Sequence, residues 1–127
     1  MIEAIDHVEV VTRDMEKSLD FYVNKLGFEI HNRHRFEGGM SLKEITYVKI
    51  GDVMIELMEF PNAIMPSKEG PEVGVRMFAL RVGNMDEEIE RLTSLGVEIS
   101  QPPRPIGPSK RAEIKDPNGI SIELRQW

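Results

Sequence analysis

Four positions carry residue types that could do chemistry together, because the chain is written twice. Residues 7–30 (HVEVVTRDMEKSLDFYVNKLGFEI) and 77–99 (MFALRVGNMDEEIERLTSLGVEI) share one plan: an alternating strand, a polar turn, an amphipathic helix, a Leu-Gly stop and a second strand. Both halves also end on a turn followed by Ile-Glu-Leu, in GDVMIEL (51–57) and NGISIEL (118–124). Superposing the copies matches position 7 with 77 and position 56 with 123. Three of those four residues, His7, Glu56 and Glu123, are types that ligate metals, and the fourth is Met77. Two copies related by an approximate twofold would bring equivalent residues around one axis, where a shared pocket can form.

The elements that must position these residues follow from the same pattern. Asp14 predicts a helix N-cap, and Met15, Leu19, Tyr22 and Leu26 recur at helical spacing beside Phe21 until Gly27 stops the helix. Strands are expected at 28–36, at 44–50 and at Val53–Glu59, with Gly51-Asp52 as the last hairpin turn. Residues 61–73 (PNAIMPSKEGPEV) have no periodicity and read as a linker. The second copy predicts a strand at Val75–Val82, an N-cap near Asn84, and a helix with Met85, Ile89, Leu92 and Leu95 on one face. The proline-rich stretch 101–108 reads as a surface loop, and Asp116-Pro117-Asn118-Gly119 as a turn before the last strand. The predicted fold class is α+β: two tandem βαβββ modules, 1–60 and 74–127, making one domain over 1–127. Their mostly antiparallel sheets would curl around a central groove.

Strand parity sorts the side chains into two sets. Val8 and Val10, Ile55 and Leu57 (with Val53), Phe78, Leu80 and Val82, and Ile122 and Leu124 form the set that packs on helices. The opposite set collects His7, Glu9, Glu56, Arg81, Glu123 and Arg125, with Met54, Met58, Met77 and Ala79. A solvated sheet face has the same parity as a lined groove. The symmetric placement of His and Glu among Met and Ala suits the groove, with Met54, Met58, Met77, Ala79, Arg81 and Arg125 as its substrate-facing residues. His31 and His34 have the look of exposed edge-strand residues, and Trp127 packs on the last strand or covers a subunit interface.

Composition removes several classes of function. The 127 residues suffice for one domain with its own core, and the absence of cysteine excludes thiolate metal sites, disulfides and a thiol nucleophile. A net charge of -6 without a Lys/Arg cluster argues against nucleic acid as a partner. No stretch approaches a membrane span, and MIEAIDHVEV lacks the pattern of a signal peptide, so a cytoplasmic protein with no membrane partner is expected. Gly38-Gly39 has no following helix and does not form a phosphate-cradling loop.

Taken in order, Ile5-Asp6-His7-Val8, Ser18-Leu19-Asp20-Phe21-Tyr22, Leu26-Gly27-Phe28, Ile55-Glu56-Leu57, Asp116-Pro117-Asn118-Gly119 and Ile122-Glu123-Leu124 resemble the vicinal oxygen chelate superfamily. That group includes glyoxalase I, methylmalonyl-CoA epimerase, antibiotic-binding resistance proteins and extradiol dioxygenases, and the resemblance covers nearly the whole chain. It implies paired βαβββ modules around a divalent metal, frequently in a homodimer. The first strand of each module would give a His and the last a Glu, so His7, Glu56 and Glu123 are the implied ligands. Met77 departs from that pattern, because a thioether is a poor partner for hard divalent ions. The remaining nitrogen and oxygen donors suit Zn²⁺, Ni²⁺, Mn²⁺ or Fe²⁺; alternatively, Met77 in place of His means no metal.

The resemblance implies a metal-dependent lyase or isomerase of the glyoxalase or epimerase type. It would act on a small oxygenated substrate or thiol conjugate through an enediolate or enolate, with Glu123, Glu56 or Glu9 moving the proton. One alternative is a metal-free protein that sequesters a small molecule, as resistance-type members do. Another is a ring-cleaving dioxygenase, which is disfavoured because that branch takes two His and one Glu from one module and the second module here has Met77.

Overall fold

The computed structural model describes residues 1–66 and 70–127, so residues 67–69 of the predicted linker lie outside the described residues. The chain forms two compact units, Met1–Met65 and Pro66–Trp127. In the first, β1 (Val8–Thr12) leads into α1 (Met15–Leu19), which continues as a π-helical segment over Asp20–Lys25. Strands β2 (Glu29–Arg35), β3 (Glu44–Ile50) and β4 (Val53–Glu59) follow. The second unit holds β5 (Phe78–Arg81), α2 (Met85–Ser94), β6 (Glu98–Ile106), β7 (Ser109–Lys115) and β8 (Ser121–Gln126). The fold is α+β, built of two βαβββ modules.

Each unit has an open four-stranded mixed sheet, in the order β1-β4-β3-β2 or β5-β8-β7-β6. The first strand of a unit runs parallel to its last, and the other neighbours are antiparallel. The two registers coincide. Val8 sits opposite Ile55 and Glu9 opposite Glu56, while Phe78 sits opposite Ile122 and Ala79 opposite Glu123. The pairing inferred from the repeat, 7 with 77 and 56 with 123, is therefore a pairing of the folded sheets.

Both helices start as predicted. Asp14 accepts a hydrogen bond from the Lys17 amide and Asn84 one from the Glu87 amide. A second tie repeats as well: Glu59, at the end of β4, accepts from the Met15 amide at 2.7 Å, and Gln126, at the end of β8, accepts from the Met85 amide at 2.7 Å. The last strand of each unit thus satisfies an orphan amide of its own helix and sets where that helix begins. Met15, Leu19, Phe21 and Tyr22 are buried in the first unit with Val10, Val48, Ile55 and Leu57; Met85 and Leu92 are buried in the second with Ala112, Ile114, Ile122 and Leu124. Gly27 and Gly96 hold positive φ of 89° and 78° where the helices stop, a conformation that favours glycine.

Several expectations need correction. The fifth strand covers Phe78–Arg81 rather than Val75–Val82, and Val75 is exposed. Likewise β1 starts after His7, whose ring sits just ahead of the strand. Leu95 and Val53 are exposed rather than packed, because Leu95 lies at the fraying end of α2 and Val53 beside the hairpin turn. The proline-rich stretch is no loop: β6 runs through Pro102, Pro103 and Pro105 as an edge strand, with register shifts between Ile99 and Gln101 and between Gln101 and Arg104. Prolines lack the donor a central strand needs, but an outer edge and bulges tolerate them. His31 and His34 lie exposed on β2, the outer strand of the first sheet.

One buried charge organises β2 and β3. Glu44 is 2% exposed and accepts from the guanidiniums of Arg33 and Arg35 and from the Thr46 hydroxyl, while Arg33 also reaches Glu16 at 2.8 Å. Burial pushes the Glu44 carboxyl up, but hydrogen bonds from Arg33, Thr46 and Arg35 outweigh it and leave the pKa below its ordinary 4.5. A depressed folded value means that this stabilisation is present above the ordinary value and is lost as the pH falls from there through the lower folded value. Urea unfolding followed from about pH 6 to about pH 3 should show stability declining below about pH 5. Glu44→Gln should flatten that decline and lower stability at neutral pH by about 1–3 kcal/mol.

Candidate metal centre

In the first unit, parity and register put Glu9 on β1 beside Glu56 on β4, and Tyr47 on β3 beside Glu56 from the other side. Two carboxylates on neighbouring strands repel unless something positive stands between them. His7 is what the chain supplies. Its Nε2 lies 3.0 Å from a Glu56 oxygen, and its Nδ1 lies 2.8 Å from Asp6. Potential ligand atoms of His7, Glu9 and Glu56 all lie within 4.8 Å of one another.

The surroundings hold these groups in place. Glu56 is buried beside its register partner Tyr47, and the Tyr47 ring meets His7 edge to face at 5.8 Å between centroids. Burial and then the Glu56 hydrogen bond raise the Tyr47 pKa above 10.0, so the phenol remains a donor. The Asp6 hydrogen bond raises the His7 pKa above 6.5; partial burial opposes it, and the charges of Glu56, Asp6 and Glu9 reinforce it. Glu9 is exposed and has no hydrogen-bond or ion-pair partner among the described residues.

This set fits a divalent cation. The His7–Glu56 separation of 3.0 Å is that of a direct ion pair, and it is also short enough for both atoms to share one ion. Asp6 on Nδ1 leaves Nε2, which faces Glu56, as the nitrogen that would hold an ion, the usual arrangement for a ligating histidine. Two carboxylates and one imidazole form a hard, anionic donor set, suited to Mn²⁺, Fe²⁺, Ni²⁺ or Zn²⁺.

The second unit uses the equivalent positions differently. Arg111 holds one Glu123 oxygen at 3.0 Å and Arg125 holds the other at 2.6 Å. Burial pushes the Glu123 carboxyl up, but hydrogen bonds from Arg125 and Arg111 outweigh it and leave the pKa below 4.5. Arg111 also binds Glu113 at 2.8 Å, and the Arg125 guanidinium lies 5.3 Å from the exposed Trp127 ring. The Met77 sulfur accepts from Arg76 at 3.4 Å, and Met77 lines an open cavity of ≈ 570 Å³ with Arg76 and Ser121. Ala79 and Arg81 are exposed.

The structure therefore gathers His7, Glu9 and Glu56 in one unit and leaves Met54 and Met58 half-buried on the same strand as Glu56. In the other unit it gives Glu123 two arginine partners, Arg111 and Arg125. Asp6, Tyr47, Arg111 and Glu113 escape the sequence reading. Parity carried into β3 and β7 would have found three of them, since Tyr47 registers with Glu56, Glu113 with Glu123 and Arg111 with Arg125.

Residues 4–124 match the Glyoxalase/Bleomycin resistance protein/Dioxygenase superfamily, and the chain belongs to that family. It is 31% identical over 127 residues to the uncharacterized protein YwkD of Bacillus subtilis, covering 98% of this chain and 97% of that one. It is 28% identical to a lactoylglutathione lyase-like protein, terB, of Aspergillus terreus, over 95% of this chain and 74% of the relative. Among solved structures it resembles a glyoxalase family protein from Enterococcus faecalis, with a TM-score of 0.84, 26% identity and 97% of each chain covered.

The Glu123 clamp makes its own prediction. Glu123→Gln removes the charge that both guanidiniums share and leaves the buried Arg111 with Glu113 alone. Chemical denaturation should show a loss of about 1–3 kcal/mol, the cost of an under-satisfied buried charge.

Proposed function

We propose that the protein is a metal-dependent lyase or isomerase of the glyoxalase or epimerase type, acting on a small oxygenated substrate or its thiol conjugate. The observation that carries this reading is the His7, Glu9 and Glu56 cluster within 4.8 Å, with Asp6 bonded to the far nitrogen of His7. Membership of the family and likeness to a lactoylglutathione lyase-like protein support it. A cytoplasmic homodimer is the setting it proposes.

When bound, a divalent ion at this cluster supplies Lewis-acid polarisation of a substrate carbonyl, which acidifies the neighbouring C–H. His7 and Glu56 would hold that ion, with Asp6 and Tyr47 fixing their orientation. Glu9, exposed and without an ion-pair partner among the described residues, would act as general base toward that carbon rather than as a third ligand. Met54 and Met58 offer a deformable apolar lining for the body of the substrate.

A second reading, a metal-free small-molecule-binding protein, is favoured by one observation. The repeat of the site in the second unit has Met77 for His7 and commits both Glu123 oxygens to arginines.

Elemental analysis and calorimetric titration with Mn²⁺, Ni²⁺ and Zn²⁺ separate the two. The parent protein should bind about one ion per chain; His7→Ala should abolish that binding, and Asp6→Asn should weaken it about 10–100-fold. A parent that stays empty with all three ions would overturn the enzyme reading in favour of the binding protein.

A further inference from the structure

Four arginines stand side by side across the second sheet. Arg81 on β5 registers with Arg125 on β8, Arg125 with Arg111 on β7, and Arg111 with Arg104 on β6. Cross-strand partners point to one face, so the row spans the sheet, about 14 Å at the usual strand spacing. Glu113 and Glu123 bind the two central members, leaving four guanidiniums against two carboxylates. Arg81 and Arg104, at the ends of the row, are exposed and have no ion-pair partner among the described residues. This excess of positive charge stands in a chain whose net charge is -6.

The fold does not require it. The equivalent row of the first unit, joined by the same register, is Val11, Met58, Ile45 and His34. The same module therefore forms with an almost uncharged row at this level. Like charges directly opposite each other on neighbouring strands destabilise a sheet. Their presence in only one unit calls for a use other than folding.

We infer that this row is a binding site for a small molecule carrying two or more oxyanionic groups, phosphate or carboxylate. Guanidinium forks recognise both groups through paired hydrogen bonds. Glu113 and Glu123 hold Arg111 and Arg125 in fixed orientations, so ordering of these side chains costs little on binding. Arg81 and Arg104 bring the charge that has no ion-pair partner among the described residues. All of these residues lie in the second unit, and the site stands whether or not the first unit binds a metal.

The test is calorimetry on protein stripped of metal with a chelator and dialysed, titrated with tripolyphosphate in one arm and citrate in the other. Saturable binding of at least one probe is expected, weakening as salt is added. The double variant Arg81→Gln/Arg104→Gln should bind at least ten-fold more weakly, with its thermal unfolding unchanged because both side chains are exposed and unpartnered. A control that removes two exposed charges of the first unit, Lys43→Gln/Lys49→Gln, should bind like the parent. Binding of tripolyphosphate alone assigns a phosphate ligand, and binding of citrate alone a polycarboxylate; either supports the site. Failure of both probes, an unchanged affinity in the arginine variant, or an equal loss in the lysine control overturns it. None of these outcomes bears on the metal reading, which the metal titration decides separately.

Discussion

The parallel pairing of the first strand of each module with its last is the constraint on which the chemistry depends. A parallel pair requires a crossover, and the helix after β1 or β5 begins that crossover. Packing the helix on one face buries Val10, Ile55 and Leu57 in one unit and Ile122 and Leu124 in the other. Side chains of opposite parity are thereby forced onto the other face. A slip of one residue would exchange the two sets and bury Glu9 and Glu56 under the helix. The Glu59 and Gln126 bonds to the first helical amides hold the helix to the strand that carries the key carboxylate.

With that frame repeated, the two units show how neighbours rather than backbone decide what a carboxylate does. Glu56 and Glu123 occupy the same register position and both stand on the face away from the helix. Glu56 has a histidine, a second glutamate and a tyrosine around it, and its carboxylate stands close to the potential ligand atoms of His7 and Glu9. Glu123 has two arginines, which take both of its oxygens and depress its pKa. At the third position of this row the first unit has Tyr47 and the second Glu113. In the next row on that face, Val11, Met58, Ile45 and His34 of the first unit give way to arginines in the second. The shared register supplies the geometry, and different residues at matched positions give the two units different chemistry.

Parity and repeat spacing were enough to read the modules, the helix caps at Asp14 and Asn84, and the faces on which His7, Glu9 and Glu56 fall. These depend on local periodicity and on capping, which are properties of short segments. Proline content misled at 101–108, because whether a segment lies at a sheet edge depends on strand order, and strand order is not local. The strand expected at Val75–Val82 shortens to Phe78–Arg81 for a related reason: a strand persists only where a partner continues beside it.

The sequence by itself determined that there are two alike modules and which side chains share a face with His7, Glu56 and Glu123, since alternation and helical period are written in the order of residues. Only the tertiary structure decided their partners. The contact of Arg125 with Glu123, two residues apart on β8, is local, whereas the pairing of Glu56 with His7, the capture of Glu123 by Arg111 and the alignment of Arg81 with Arg125 arise between different segments. Their register is set by the packing of the whole module, and no single segment specifies it.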